Sequence, residues 1–191
     1  ALIVANVAVY LLQTLLPGLA VPFALWPLGA AQMDPRVGFA PWQLVTYAFL
    51  HGGLFHLAFN MFALYMFGSA IEQVFGSRRY LIYYAVCVVA AAIAQLVVAA
   101  LVGGVYPTVG ASGAISGVMG AYLLLYPTAH VRMLFIIFVA RVRAWLVLVY
   151  WFLLQVSQGL AELGPMRPDI SGGVAVWAHV GGFVMGLFVV K

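Results

Sequence analysis

The chain has 191 residues, 66% of them hydrophobic and only 6% charged, with eight Lys or Arg against four Asp or Glu and a net charge of +4. A soluble domain carries about 25% charged residues, and a mean hydropathy of +1.14 leaves too little polar surface to coat a globule in water. A soluble enzyme, a nucleic-acid binder and a disordered chain are thereby excluded, and the composition specifies a polytopic membrane protein. The single cysteine, Cys87, excludes an intrachain disulfide. Because the chain opens at Ala1 inside an apolar stretch with no basic segment ahead of it, a trimmed core is expected rather than a signal peptide.

A spanning helix needs about 20 apolar residues, and breakers and charges divide the chain into six candidates. The first runs from Ala1 to about Leu16 and stops at Pro17-Gly18. The 1–2 loop that follows carries Pro22, Pro27, Asp34, Pro35, Arg36 and Pro41 among Phe23, Leu25, Trp26, Leu28 and Phe39, a mixture expected to lie in the interface. The second helix is predicted at roughly Gly53 to Phe75, the third at Arg79 to Val102 and the fourth at Ser112 to Tyr126. A mixed segment, His130 to Arg143, precedes a fifth helix at roughly Ala144 to Leu160, and a sixth begins near Trp177 and is still apolar at Lys191. Arg78, Arg79, Arg132, Arg141, Arg143 and Lys191 fall on one side, whereas Arg36 and Arg167 on the other face Asp34, Glu162 and Asp169. The positive-inside rule then predicts both termini in the cytoplasm.

The fourth helix is short, about 21 Å at 1.5 Å per residue, against a hydrocarbon core of about 30 Å. Ser112 is therefore expected below the outer surface, with Gly103-Gly104…Gly110 dipping down to meet it. Irregular backbone is tolerated at that depth only where protein buries it or water fills a cavity.

His56, Asn60, Ser112 and His179 are polar residues within helices, where polar groups are costly. Each alone reads as interhelical glue, worth under about 1–2 kcal/mol. Counted along their helices, however, all fall at one level on the outer side, and His56 and Asn60 share a face at i, i+4. Ser112 reads either as an N-cap or as a nucleophile placed where unpaired N–H groups at a helix start can hold an oxyanion. Ser116 ranks below it, because its N–H is consumed by the helical ladder. A serine hydroxyl needs a base. His130 lies beside Arg132 on the cytoplasmic side and His51 at the outer mouth of the second helix, which leaves His179 as the best base. Gly113, Gly117 and Gly120 on the fourth helix and Gly182 and Gly186 on the sixth have the small-xxx-small spacing that lets backbones approach closely, which would bring His179 to Ser112. No acid falls near His179, so a Ser–His dyad is expected rather than a triad, with His56 and Asn60 free to donate to an oxyanion.

The combination His56-x-x-x-Asn60, Gly110-Ala111-Ser112-Gly113 and Ala178-His179-Val180-Gly181-Gly182, in this order on the second, fourth and sixth helices, resembles the rhomboid family of intramembrane serine proteases. The resemblance implies an all-α, six-transmembrane-helix bundle as one domain over 1–191, with Ser112 as nucleophile and His179 as base. It places His56, Asn60 and the backbone of Ser112 and Ala111 in the oxyanion hole. It implies single-pass membrane-protein substrates cut in or beside their spans, membrane lipid as surroundings, and neither metal, cofactor nor nucleic acid. Glu72 and His51 match the family's acidic residue at the end of the second helix and its outer histidine, whereas Trp42-Gln43 replaces the usual Trp-Arg, a change that bears on the loop's polar anchoring. Helix five and the segment Glu162 to Val176 resemble the family's gate and cap. The compact core, with arginine outnumbering lysine, points to a bacterial inner membrane. Absence of His-Glu-x-x-His and of paired intramembrane aspartates excludes the metallo and aspartyl alternatives. The rival class is a small transporter with a polar midplane pocket; against it stand the lack of an internal repeat and of an intramembrane charge pair. Retention of Ser112 and His179 argues against a silent relative.

Overall fold

The computed structural model describes residues 1–16, 18–135, 138–163 and 175–190. Six helices of ten or more residues are present among them: α1 (Leu2–Leu15), α2 (Leu54–Phe75), α3 (Ser77–Val102), α4 (Ser112–Leu125), α5 (Ala144–Leu163) and α6 (Val176–Val189). Only α2, α3 and α5 are long and apolar enough to cross a membrane by themselves. The other three have 14 residues each, about 21 Å of helix. Predicted and observed boundaries differ by a few residues at most, as expected where helix ends fray.

α4 is the centre of the bundle. Every residue from Gly113 to Ala121 is buried, which is how a helix apolar on all sides is stable only when surrounded. Leu11, Phe55, Phe59, Phe62, Tyr150 and Phe188, by contrast, expose large apolar side chains on the outside, as a lipid-facing surface requires. Small residues decide how closely α4 and α6 approach. A Cβ at Gly182 would collide with the Gly113 carbonyl, one at Gly186 with the Gly117 carbonyl, and one at Gly120 would lie 2.6 Å from the Phe183 carbonyl. Tyr83 of α3 sets its hydroxyl between the Gly117 and Gly186 carbonyls, at 2.6 and 3.2 Å, and so ties three helices at one point.

The expectation of an all-helical chain fails in one place. His130–Phe135 and Phe138–Arg143 pair as an antiparallel hairpin, β1 and β2, in the register His130↔Arg143 to Phe135↔Phe138. Arg141 and Arg143 flank Val142 at the end of β2, a short period-two alternation.

Four short helical turns, Ala20–Phe23, Ala30–Met33, Gln43–Thr46 and Tyr47–Phe49, organise the 1–2 loop. Gln43, 2% exposed, accepts from the Trp26 N–H at 3.2 Å and donates to the carbonyls of Gly38 at 3.0 Å and Pro22 at 3.3 Å. The amide thus anchors the loop, satisfying backbone groups on three segments. On the exposed side of this loop, the Arg36 guanidinium holds the Asp34 carboxyl down to about 2. The loop in turn holds the approach to α4: Leu25 and Thr108 exchange backbone hydrogen bonds of 3.0 and 2.9 Å, and the Gly110 N–H donates to the Tyr47 carbonyl at 2.9 Å. Irregular backbone ahead of Ser112 is therefore satisfied by protein, as its depth demands.

Candidate active site

Ser112 is the first residue of α4, and Ala111, not Ser112, occupies the N-cap position, with no side-chain capping bond. The capping reading of Ser112 is thus overturned: its hydroxyl faces another helix. Ser112 Oγ lies 2.8 Å from His179 Nε2. The carbonyl of Ala111 already accepts from Ile115 N–H, whereas the Ser112 N–H has no acceptor among the described residues, the expected state of a first-turn donor. Ser116 donates its hydroxyl to the Ser112 carbonyl at 2.7 Å and is 1% exposed, so that hydroxyl is committed to the helix backbone.

His56 comes to the same place from α2. The Gly52 N–H donates to His56 Nδ1 at 3.2 Å; with Nδ1 accepting, the ring proton resides on Nε2. That nitrogen lies against the loop entering α4, because a Cβ at Gly110 would fall 2.8 Å from His56 Nε2 and 3.7 Å from Ser112 Oγ. Gly110 also has φ +124, a conformation a side chain disfavours, so glycine is required there twice over. Asn60 donates one amide N–H to the His56 carbonyl at 2.9 Å and has a second to offer. His56, Asn60, Ser112 and His179 line one cavity of about 1120 Å³, which runs on between Phe62 and Met66 of α2 and Val147 and Trp151 of α5.

His51, expected at the outer mouth of the second helix, is buried, and its ring packs edge-on to His56 with centroids 5.2 Å apart. Gln13 of α1 brackets its backbone, accepting from the N–H at 3.0 Å and donating to the carbonyl at 2.9 Å. His130 is paired opposite Arg143 in the hairpin and does not line this cavity, although its neighbour Val131 does. Glu72 accepts from the Ser77 hydroxyl at 2.7 Å at the α2–α3 turn. Gly164, Pro165, Arg167, Pro168, Asp169 and Gly172-Gly173 of the predicted cap, with Pro17 and Lys191, lie outside the described residues.

Three contacts were missed from sequence. Gln155 Oε1 lies 2.7 Å from His179 Nδ1; the Trp151 ring sits 5.7 Å from the imidazole, tilted by 39°; and Gln95 of α3 accepts from the Ala178 N–H at 3.1 Å. For Gln155 and Gln95 the available signal was the same one that exposed Asn60, a polar amide inside an apolar helix; the Trp151 contact had none. No group of three or more potential metal ligands occurs among the described residues.

Apolar helices packed around a cavity into which a few polar side chains project define a polytopic helical membrane protein. Residues 38–191 match the rhomboid domain. The chain is 42% identical over 95 residues to rhomboid protease GluP of Bacillus subtilis, covering 50% of this chain and 17% of that protein. It is 39% identical over 84 residues to the putative rhomboid protease YdcA of the same organism, covering 44% and 41%. Against RHOMBOID-like protein 5 of Arabidopsis thaliana identity is 30% over 176 residues, 92% of this chain and 51% of that one. The chain belongs to the rhomboid family. It spans about half or less of the length of each of these relatives.

Proposed function

We propose that the chain is an intramembrane serine endopeptidase that cuts single-pass membrane proteins in or beside their spanning segment, using Ser112 and His179. The observation that carries this reading is the 2.8 Å approach of Ser112 Oγ to His179 Nε2, at the start of a buried helix that opens on a cavity. Nucleophile and base within hydrogen-bond reach are the requirement for activating a serine. In the proposed reaction Ser112 Oγ attacks the scissile carbonyl carbon as His179 Nε2 takes the hydroxyl proton. The resulting oxyanion is met by the Ser112 N–H, by His56 Nε2–H and by Asn60, with the Ala111 backbone completing the hole. His179 then returns the proton to the departing amine, and water, deprotonated by the same nitrogen, releases the acyl group from Ser112.

The apolar walls of the cavity, Phe62 and Met66 on one side and Val147 and Trp151 on the other, suit an apolar peptide arriving between α2 and α5. We take all six helices to span the membrane, with both termini in the cytoplasm of a bacterial cell and the cavity opening outward. The 1–2 loop lies in the interface, and Gly113, Gly117, Gly182 and Gly186 hold the dyad together. The reaction draws on no metal or cofactor. The test is cleavage of a single-pass substrate by protein reconstituted in lipid vesicles, with fragments identified by mass. Wild type should cut within or next to the span, and folded Ser112→Ala and His179→Ala should not. Uptake of solutes by the vesicles without cleavage would instead favour a transporter.

A further inference from the structure

His179 is held from both of its ring nitrogens. Nε2 meets Ser112 Oγ at 2.8 Å, and Nδ1 meets Gln155 Oε1 at 2.7 Å. Gln155 is 8% exposed and lies on α5, one turn from Trp151, whose ring packs on the same imidazole; at i, i+4 the two share a face of their helix. No carboxylate hydrogen-bonds to His179 among the described residues.

We propose that Gln155 is the positioning residue for His179: its amide oxygen accepts the Nδ1 proton, which fixes the tautomer with the Nε2 lone pair aimed at Ser112. This rests on the dyad reading above. The chemistry follows from the proton inventory. A neutral imidazole carries one N–H; placed on Nδ1 it leaves Nε2 able to receive the Ser112 proton, and placed on Nε2 it leaves no base at the hydroxyl. A triad assigns this orienting task to a carboxylate. Within a membrane span a neutral amide does it without the cost of a buried charge, and it contributes orientation more than stabilisation of the imidazolium. Trp151 limits rotation of the ring about its other axis. The base on α6 is therefore aligned by α5, one of the two helices that wall the cleft.

The experiment uses the full chain, ¹⁵N-labelled at histidine, with the His179 signals assigned by their loss in His179→Ala. Wild type should show a protonated Nδ1 and an unprotonated Nε2. Gln155→Leu should lose that single tautomer and label with a serine-directed phosphonate about 10²-fold more slowly, the scale of a misaligned catalytic group. Gln155→Glu, which keeps the acceptor, should restore the Nδ1–H tautomer and most of the rate. A protonated Nε2 in wild type overturns the proposal, as does a folded Gln155→Leu with wild-type tautomer and labelling rate. Should Gln155→Leu fail to fold, the wild-type and Gln155→Glu spectra decide. If wild type does not label at all, the protease reading fails, while the spectra still report whether Gln155 sets the tautomer.

Discussion

Gly182→Ala tests whether glycine packing is what brings the base to the nucleophile. The added Cβ would collide with the Gly113 carbonyl, a backbone atom that has no rotamer to escape into. Relief requires α4 and α6 to part by about 1 Å, and overpacking of this kind costs about 1–3 kcal/mol. Ser112 is adjacent to Gly113, and His179 lies one turn from Gly182, so the same separation stretches the 2.8 Å Ser112–His179 contact beyond hydrogen-bond range. A misplacement of about 1 Å at a reacting pair costs about 10²-fold in rate. The assay is the rate of phosphonate labelling in detergent, paired with a thermal melt. Gly29→Ala, where a Cβ meets nothing within 4 Å, is the control and should match wild type in both. A Gly182→Ala protein that melts and labels like wild type would refute the reasoning.

Other substitutions separate the remaining parts of the site. His56→Ala should fold and lose about 10²–10³-fold in turnover, the usual cost of one oxyanion donor; unchanged turnover in the vesicle cleavage assay would remove it from the site. Ser116→Ala should keep labelling, since its hydroxyl serves the Ser112 carbonyl; loss of labelling with an intact fold would transfer the nucleophile's role. Gln43→Leu strips partners from Trp26, Gly38 and Pro22, and a drop of about 1–3 kcal/mol should appear in denaturant or thermal unfolding. A cross-link joining α2 to α5 across the cleft should block cleavage of a membrane substrate yet leave phosphonate labelling, because His179 stays aligned; full cleavage after cross-linking would exclude entry between these helices.

The apolar runs and their order were legible because breakers and charges interrupt them, and the expectation that His56, Asn60, Ser112 and His179 share one level rests on rise per residue alone. What eluded the sequence were matters of facing and partner choice. Among the described residues no acid hydrogen-bonds to His179, and only the packing of α5 on α6 brings the Gln155 amide to the imidazole. Gln43 looked like the loss of an anchor, but its side chain has both donors and an acceptor, which the three loop segments use. An N-cap is the commoner role for a serine at such a position, but in the structure Ala111 occupies it. The β1–β2 hairpin was hidden because its short alternation sits among residues that also fit an interfacial coil.

The central claim is a Ser112–His179 dyad, and the most direct measurement is covalent labelling of detergent-solubilised protein by a fluorogenic serine-directed phosphonate. Wild type, Ser112→Ala and His179→Ala are compared, each checked for folding by thermal melt and the labelled residue identified by mass. Wild type should be modified at Ser112, and neither folded variant should be labelled. Labelling that persists in folded Ser112→Ala, or that maps to Ser116 in wild type, would contradict the claim.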